Sequence, residues 1–458
     1  MRNPFTSKSV LLILGDIAVS VASIYAGIFL RTLGEYSFQL QKYSPMAPKV
    51  AAFACILIFM CFLLDLYNLD KKVGKKEIFL KILIANVLVA VPLGAIYYFL
   101  PFAKLGRGIL FLSLCFSILL QSVWHIGYAL FLRLPVATKR VLILGTGPIA
   151  QTMGNLLLRN NNGFALAGYV NCVGEPIHVP KDDVIGEGEG LLAIALKERV
   201  QKIVVSLSER RGTLPVREVL NCKLQGVDIV DGPSFYEQLT GKLLIENMNP
   251  SHLIFSDGFK VTAARRYFKR ILDVILAAAG LILSWPFLLI VPVLIKLDSK
   301  GLVLFKQERV GEGEKLFTLF KFRTMVDGAE EETGPVWSMD GDSRITKLGR
   351  FLRKSRLDEI PQLFNVLRGD MSFTGPRPER PFFVESLKIQ IPYYSERHCI
   401  KPGITGWAQV KYEYGDSIED AIEKMRYDLF YIKYQSLSLD MLIVMDTFKV
   451  ILFGRGGR

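Results

Sequence analysis

Residues 355–362 read Ser-Arg-Leu-Asp-Glu-Ile-Pro-Gln and place two carboxylates, Asp358 and Glu359, side by side. Adjacent anions repel each other unless cations or a metal ion share the site. Three cationic residues lie immediately upstream of the pair: Arg353, Lys354 and Arg356. A Gly-Pro-Arg-Pro segment follows at 375–378. An acidic pair set among arginines in this way suits chemistry on a phosphate group.

The composition of the whole chain points to a membrane protein. The 458 residues are 51% hydrophobic and carry a formal net charge of +13, and the mean hydropathy is +0.32. A basic, apolar chain of this length favours about two or three domains and an anionic partner such as phospholipid or a phosphorylated substrate. The six cysteines show no C-x-x-C spacing and the four histidines are scattered, so neither a disulfide framework nor a zinc site is indicated.

Four apolar windows in the first third of the chain are each close to the ~20 residues needed to cross a ~30 Å hydrocarbon layer. The windows are 10–33, 50–69, 78–100 and 109–132. The sequence therefore predicts a four-helix transmembrane region over residues 1–135, with an uncleaved anchor at its start. Most flanking basic residues fall on one side: Arg2, Lys8, Lys71, Lys72, Lys75, Lys76, Arg133, Lys139 and Arg140. The positive-inside rule then predicts that the N-terminus and everything after Arg133 are cytoplasmic.

Two ionisable residues, Asp16 and His125, fall inside these windows. Such residues in lipid are functional candidates, but they are also found packed between helices with their hydrogen bonds satisfied. The second interpretation is favoured here.

The middle of the chain has the pattern of a dinucleotide-binding unit. A strand-like run at 139–144 is followed by Gly145, Gly147 and Ala150 in a G-x-G-x-x-A turn and then by a helical stretch. Further strand-like runs occur at 165–170, 202–206 and 227–230. Their alternation with helical stretches predicts a Rossmann-like α/β cytoplasmic module over 138–258, with a parallel sheet and helices on both faces.

The ligand of this module stays open. About 20 residues beyond the glycines, where a ribose-binding Asp or Glu is expected, the second strand ends in Asn171. The glycine turn is therefore either a weak nucleotide loop or a tight turn that only joins strand to helix.

A further apolar stretch at 271–295 is interrupted by Ser284-Trp285-Pro286 and by Pro292. Proline removes a backbone donor and kinks a helix, and halves of about 12 residues rise only about 18 Å each. Both flanks are basic. A re-entrant hairpin is predicted, in which Ser284 bonds a backbone group freed near Pro286; the alternative is a fifth, kinked transmembrane helix.

The motifs downstream carry a family resemblance. They are the run 357–372 that begins Leu-Asp-Glu-Ile-Pro-Gln-Leu-Phe-Asn, the Gly-Pro-Arg-Pro at 375–378, and Lys-Pro-Gly-Ile-Thr-Gly-Trp-Ala-Gln-Val at 401–410. The chain resembles the bacterial sugar transferase family, the monotopic phosphoglycosyl transferases, and in particular their large, polysaccharide-initiating branch. The resemblance implies a mixed α/β catalytic domain at 264–458 that moves a hexose-1-phosphate from a UDP-sugar to polyprenyl phosphate and releases UMP.

The resemblance also implies residue roles. Asp358 would be the nucleophile and would carry a covalent phosphosugar, and Glu359 would hold Mg²⁺, or Mn²⁺ in its place. Substrate-binding residues would be Arg377, Lys321, Arg323, Arg353, Arg356 and Gln362. Two departures from the family pattern concern the hairpin: Trp285 separates Ser284 from Pro286, and Lys300 stands where a proline is usual.

The expected partners are a UDP-sugar donor, a polyprenyl phosphate acceptor, membrane lipid and a second copy of the chain, with no nucleic acid. The expected location is the bacterial inner membrane, with several spans and a cytoplasmic catalytic domain. An amphipathic helix at 437–453, which contains Asp440, Asp446 and Lys449, is predicted to lie on the membrane surface.

Two other functions are compatible with membrane spans followed by a Rossmann-like module. A membrane-anchored nucleotide-sugar dehydratase or epimerase needs a Tyr-x-x-x-Lys pair after the glycine turn. The only such spacing, Tyr67 to Lys71, comes before it. The other rival is a non-catalytic, nucleotide-binding membrane scaffold.

Overall fold

The computed structural model describes residues 7–31, 44–67, 74–99, 104–133, 138–159, 163–207, 213–245, 258–260, 262–329, 342–412, 415 and 417–453. The chain divides into two compact units, Met1–Leu239 and Thr240–Arg458. Arg2, Lys71 and Lys72, on which part of the predicted orientation rests, lie outside the described residues.

Four long apolar helices begin the first unit. They are α1 (Ser7–Arg31), α2 (Met46–Leu63), α3 (Lys75–Phe99) and α4 (Arg107–Arg133). All four are long and apolar enough to cross a membrane, so the predicted helical windows are confirmed. α1 and α4 lie close together. Gly15 of α1 is so near the ring of Trp124 of α4 that a methyl group at position 15 would overlap the ring.

The two ionisable residues of these helices meet in the interior. His125 Nε2 lies 3.0 Å from Asp16 Oδ1, and the hydroxyl of Tyr67 donates to Asp16 Oδ2 at 2.8 Å. Asp16 and His125 are both 0% exposed. The interpretation of the pair as a contact packed between helices is therefore confirmed, and both Asp16 oxygens have partners, whereas His125 Nδ1 has none among the described residues.

The rest of the first unit is a five-stranded sheet with order β3-β2-β1-β4-β5 and parallel pairing throughout. Its strands are β1 (Lys139–Leu144), β2 (Phe164–Asn171), β3 (Val184–Glu187), β4 (Lys202–Val205) and β5 (Asp228–Asp231). Its helices are α5 (Pro148–Arg159), α6 (Leu191–Lys197), α7 (Val216–Leu224) and α8 (Gly232–Thr240). The predicted parallel sheet is confirmed. β3 was missed because it has four residues and only two of them, Val184 and Ile185, are apolar.

The glycine turn lies after β1, next to the end of β4. Gly145 has a φ of +122°, and a side chain at this position would meet the Ser206 carbonyl oxygen at 2.8 Å. Thr146 donates through Oγ1 to Asn171 Oδ1 at 3.0 Å, and its carbonyl accepts from the His178 amide at 2.8 Å. Asn171 thus holds the turn against the loop that follows β2. The role of Gly145, Gly147 and Ala150 as a nucleotide loop stays a prediction.

The second unit contains one long helix, two small sheets and several short helices. Its helices are α9 (Ala263–Asp298), α10 (Lys347–Lys354), α11 (Gln362–Arg368), α12 (Pro381–Gln390), α13 (Trp407–Lys411), α14 (Ile418–Tyr434) and α15 (Leu437–Phe453). Its strands are β6 (Leu304–Val310) and β7 (Leu316–Phe322), which pair antiparallel, and β8 (Ser372–Thr374) and β9 (Gly403–Thr405), which pair parallel.

The boundary between the units comes earlier than residue 258, the predicted end of the Rossmann-like module. Leu243 and Ile245 pack in the core of the second unit, and the Trp407 indole donates to the Gly241 carbonyl at 2.7 Å. Residues 246–257 lie outside the described part of the chain.

Helix α9 differs from the predicted hairpin in its backbone. It is helical over 36 residues, with Pro286 and Pro292 inside it, and it is the fifth described helix that is long and apolar enough to cross a membrane. The hydroxyl of Ser284 is buried without a hydrogen-bond partner among the described residues, so the expected bond to a freed backbone group is not present. The re-entrant path through a membrane stays a prediction.

Both halves of α9 pack on the second unit. In the first half, the Asp273 carboxylate accepts from the Ser372 hydroxyl at 2.9 Å and from the Phe373 amide at 3.0 Å. In the second half, Val291 and Ile295 are buried in a cluster with residues of β7 and α10.

The C-terminal helix α15 has the predicted bounds. Its polar residues are placed differently from the prediction, because Asp440 is 1% exposed and accepts from Lys269 Nζ at 3.2 Å and from the Tyr431 hydroxyl at 2.6 Å. Met441, Phe448 and Leu452 are exposed. Contact of this apolar side with a membrane stays a prediction.

Candidate active site

The adjacent carboxylates lie on a short turn between α10 and α11. Arg356 has a left-handed backbone with a φ of 58°, and one turn of 3-10 helix, Leu357–Glu359, follows it. This turn carries both carboxylates inward, so that Asp358 is 6% and Glu359 is 8% exposed. Pro361 then caps the start of α11. The pair therefore lies just before the start of α11, and the left-handed Arg356 marks a local strain of the kind found at functional sites.

Three cations surround the carboxylate of Glu359. Arg377 donates from NH2 to Glu359 Oε1 at 2.8 Å. Lys321 Nζ and Arg356 NH1 each lie 3.5 Å from the same oxygen. Burial by itself raises the pKa of Glu359, but the charges of Arg377, Lys321 and Arg356 together hold this pKa well below its ordinary value. These charges therefore favour the ionised form of Glu359 in this site.

Asp358 is in a different state from its neighbour. Its Oδ1 is buried and has no hydrogen-bond partner among the described residues. Burial, and then the negative charge of Glu359, raise the pKa of Asp358, while Lys321 and Arg356 oppose this shift. A buried carboxylate oxygen without a partner is costly, so it indicates a group kept available for a ligand or a reaction.

Lys321 is held in place by a residue that sequence reasoning missed. Asn365 of α11 is fully buried. Its Oδ1 accepts from the Phe320 amide at 3.1 Å, and its Nδ2 donates to the Thr318 carbonyl at 2.7 Å. These bonds join the helix that follows the dyad to β7, the strand that bears Lys321. A polar residue inside the apolar run of 363–367 was the signal that could have revealed it.

Arg377 also has a buried support that sequence reasoning missed. Arg397 is 7% exposed; its NH2 donates to the Arg377 carbonyl and to Asp428 Oδ2, both at 2.9 Å. Its NH1 donates to the Tyr394 hydroxyl at 2.5 Å. Burial raises the pKa of Asp428 to about 6 although Arg397 lowers it. This group fixes the backbone of the loop from which Arg377 reaches Glu359.

A cavity of about 640 Å³ opens onto the dyad. Most of the predicted substrate-binding residues line it: Lys321, Arg323, Arg353, Arg356 and Arg377. The Arg323 guanidinium donates to the Ser299 carbonyl at 2.8 Å, and Arg353 Nε donates to the Thr324 hydroxyl at 2.9 Å. The fold thus gathers five cations from three separate segments, 321–323, 353–356 and the loop of Arg377, into the lining of the cavity that contains the two carboxylates.

Other predicted residues lie elsewhere. Gln362 is 2% exposed and is not among the described residues that line the cavity. Ser284 and Pro286 lie within α9. Gly145, Gly147 and Ala150 belong to the first unit.

The donor groups are compatible with a magnesium ion that takes most of its ligands from substrate. The described residues contain no cluster of three or more His, Cys, Asp or Glu side chains arranged to hold a metal. Mg²⁺ is commonly bound through one or two carboxylates together with substrate phosphates and water. The unpartnered Oδ1 of Asp358 and the neighbouring Glu359 satisfy that minimal requirement.

Comparison with known proteins identifies the class. The model of the bacterial sugar transferase family matches residues 264–454. A Rhizobium leguminosarum bv. phaseoli protein, named exopolysaccharide production protein PSS, is 39% identical over 187 residues, which are 39% of this chain and 92% of that protein. The chain therefore belongs to the bacterial sugar transferase family.

Two longer relatives extend the similarity. The UDP-N-acetylgalactosamine-undecaprenyl-phosphate N-acetylgalactosaminephosphotransferase of Aeromonas hydrophila is 40% identical over 242 residues, covering 53% of this chain and 56% of that protein. The undecaprenyl-phosphate glucose phosphotransferase of Komagataeibacter xylinus is 32% identical over 336 residues, covering 71% of this chain and 62% of that protein. The chain thus spans a little over half of each of these two relatives. None of the three relatives is named as a dehydratase, an epimerase or a scaffold.

Proposed function

We propose that the second unit transfers a hexose-1-phosphate or an N-acetylhexosamine-1-phosphate from a UDP-sugar to polyprenyl phosphate, most simply undecaprenyl phosphate, and releases UMP. The observation that carries this proposal is the buried, unpartnered Oδ1 of Asp358 in a cavity lined by arginines and lysines. The names of the Aeromonas and Komagataeibacter relatives agree with this donor and acceptor chemistry. The product is the first lipid-linked intermediate of an exopolysaccharide or related glycan.

In the first step the Asp358 carboxylate attacks the sugar-bearing phosphorus of the donor. A new bond joins the Asp358 oxygen to this phosphorus, and the bond to the bridging oxygen breaks, so UMP leaves with that electron pair. The product is a phosphosugar attached to Asp358 as an acyl phosphate. This intermediate keeps much of the transfer potential of the original diphosphate, which is the advantage of splitting one difficult step into two.

In the second step an oxygen of polyprenyl phosphate attacks the same phosphorus. The bond between phosphorus and the Asp358 oxygen breaks, and the carboxylate is regenerated. The acceptor leaves as a polyprenyl diphosphate sugar. Because both displacements take place at the same phosphorus, a single carboxylate with a free oxygen is enough to carry the sugar phosphate from donor to acceptor.

The cations make the first attack possible. A carboxylate that approaches a diphosphate meets like charge, and Arg377, Lys321 and Arg356 are placed to offset it. Glu359 keeps these three side chains together near Asp358. Mg²⁺ bound at Asp358 and Glu359 would add further charge neutralisation on the diphosphate.

A cytoplasmic site at the surface of the inner membrane is part of the proposal. UDP-sugars are made in the cytoplasm, while the acceptor phosphate is borne by a lipid. The packing of both halves of α9 on the same unit agrees with a helix that enters and leaves the membrane on one side. The exposed apolar side of α15 agrees with contact to lipid.

The proposal is tested by incubating the purified full-length protein with UDP-sugars, Mg²⁺ and polyprenyl phosphate in detergent. UMP release that requires Mg²⁺ is expected, and without acceptor the label of a ³²P-labelled donor should remain on the protein at Asp358. Peptide mapping of the labelled protein checks the site. UMP release without any labelled protein, in a strictly sequential kinetic pattern, would instead mean that the lipid phosphate attacks the donor directly.

A further inference from the structure

The lining of the cavity around the dyad has two chemically different parts. One part includes Arg323, whose guanidinium is held by Ser299 just beyond the C-terminus of α9. Another part is apolar and consists of Phe383, Leu387 and Met425, which belong to one hydrophobic cluster with Trp407 and Val410 of α13. Because α9 is the candidate membrane helix of this unit, a lipid-borne phosphate would approach beside Arg323. The apolar part is then left for the nucleotide of the donor.

A hydrogen-bonding group without a partner lies in α13 between Trp407 and Val410, two residues of this apolar cluster. Gln409 of α13 lines the cavity, and its Oε1 is buried with no hydrogen-bond partner among the residues that the structure describes. Its Nε2 donates to the Ile404 carbonyl at 3.4 Å. This bond sets the orientation of the amide, so that the oxygen rather than the nitrogen is available.

Two glycines show that this oxygen lies close to the backbone of the loop that bears Arg377. The Gly375 amide donates to the Thr405 carbonyl at 2.9 Å, which holds the loop that bears Arg377 against the segment before α13. A side-chain carbon at Gly406 would lie 2.3 Å from the Gly375 carbonyl oxygen and 3.3 Å from Gln409 Oε1. The amide oxygen therefore lies beside the loop whose arginine contacts Glu359, in a place that only a glycine at position 406 keeps open.

A buried acceptor in a cavity whose lining is partly apolar matches the edge of one nucleobase. Uracil presents an N3–H donor between two carbonyl groups, whereas cytosine has an acceptor at N3 and would face the amide oxygen with like partial charge. We propose that Gln409 Oε1 accepts a hydrogen bond from uracil N3–H and makes the site selective for UDP-linked over CDP-linked donors. This inference rests on the proposed function for its ligand and assigns Gln409 as the base-reading residue of that site.

The test compares the binding of UDP, CDP and N3-methyl-UDP to the full-length protein by isothermal titration calorimetry. The wild type should bind UDP about 10- to 100-fold more tightly than either analogue, which corresponds to the usual cost of leaving a buried acceptor without a partner. Gln409→Met keeps the size of the side chain and removes the acceptor. Its affinity for UDP should fall to that for CDP, while its affinity for N3-methyl-UDP should change little.

Gln390→Met is the matched control, because Gln390 is exposed on α12 and bonds only within its own helix to Ser386. It should keep the full preference for UDP. Equal binding of UDP and N3-methyl-UDP by the wild type would overturn the inference without any mutant, and so would an unchanged preference in a folded Gln409→Met variant. UMP release from a UDP-sugar is measured in parallel. Selective UDP binding without UMP release would leave the base-reading role intact and remove the proposed reaction.

Discussion

Two regions of this protein bury carboxylates, and the two regions differ in whether the carboxylate oxygens have hydrogen-bond partners. Among the membrane helices, Asp16 is 0% exposed and its oxygens are contacted by His125 at 3.0 Å and Tyr67 at 2.8 Å. In the second unit, Glu359 is contacted by three cations, while Asp358 Oδ1 beside it has no partner among the described residues. The group of Asp16 is closed, in the sense that both of its carboxylate oxygens have partners. The dyad, in contrast, lines a cavity of about 640 Å³.

The difference separates a carboxylate that holds a fold together from one that is ready to react. A buried anion is tolerated when its hydrogen bonds are met, and it then contributes to the specificity of packing. A buried anion with a free oxygen costs stability, and such a cost persists where function requires it. Burial alone, which both regions share, does not distinguish the two roles.

The largest expected effect comes from changing the free carboxylate. Asp358→Asn keeps the volume of the side chain and removes the nucleophile, so UMP release should fall at least about 10³-fold. Asp16→Asn, the same substitution in the closed group, should leave the rate per folded molecule within about twofold. Initial rates of UMP release, normalised to the folded fraction, check both variants. Equal rates for wild type and Asp358→Asn would show that another group is the nucleophile.

The next largest expected effect is on the free energy of unfolding, and it concerns the closed group of Asp16 and not the dyad. His125→Leu removes one partner and leaves Asp16 buried with Tyr67, which should destabilise the protein by about 3–5 kcal/mol, the usual cost of breaking a buried pair by removing one member. The double variant Asp16→Leu with His125→Leu should be more stable than His125→Leu, because no buried carboxyl group is then left without that partner. Thermal unfolding in detergent micelles measures both. If the double variant is the less stable of the two, the pair is not the unit of stability assumed here.

The smallest effect is a shift in the pH profile. Burial and then the charge of Glu359 raise the pKa of Asp358 above its ordinary value, and attack requires the ionised form. UMP release should therefore decrease as the pH falls through this raised pKa and be restored above it. Glu359→Gln removes the neighbouring negative charge, so the acid limb should move to lower pH.

Asp428 titrates in the same region, because burial raises its pKa to about 6. The diagnostic quantity is thus the shift between wild type and Glu359→Gln, measured as initial rates in Asp428→Asn backgrounds of both. An acid limb that moves to higher pH in Glu359→Gln would contradict the coupling of the two carboxylates.

The sequence predicted some elements well and others poorly for identifiable reasons. The four N-terminal helices and α15 followed from long apolar periodicity, and β1 followed from an unbroken apolar run after a basic pair. The burial of Asp440 was not predicted, because periodicity shows that a charged residue lies within a helix but not whether a lysine from another helix meets it. The helical backbone across Pro286 was missed because a proline is a probable, not an obligatory, break.

For the site, the sequence by itself determined the adjacent carboxylates, the arginine loop and the family, since these depend on residue types at fixed short spacings. Only the tertiary structure decided which carboxylate is neutralised and which is left free, because Lys321 and Arg377 reach Glu359 from a strand and a loop distant in the chain. It also decided that Asn365 and Arg397 hold those two cations in place. Contacts of this kind form between segments that are far apart in the chain and are brought together only by packing. A short stretch of sequence therefore does not reveal them.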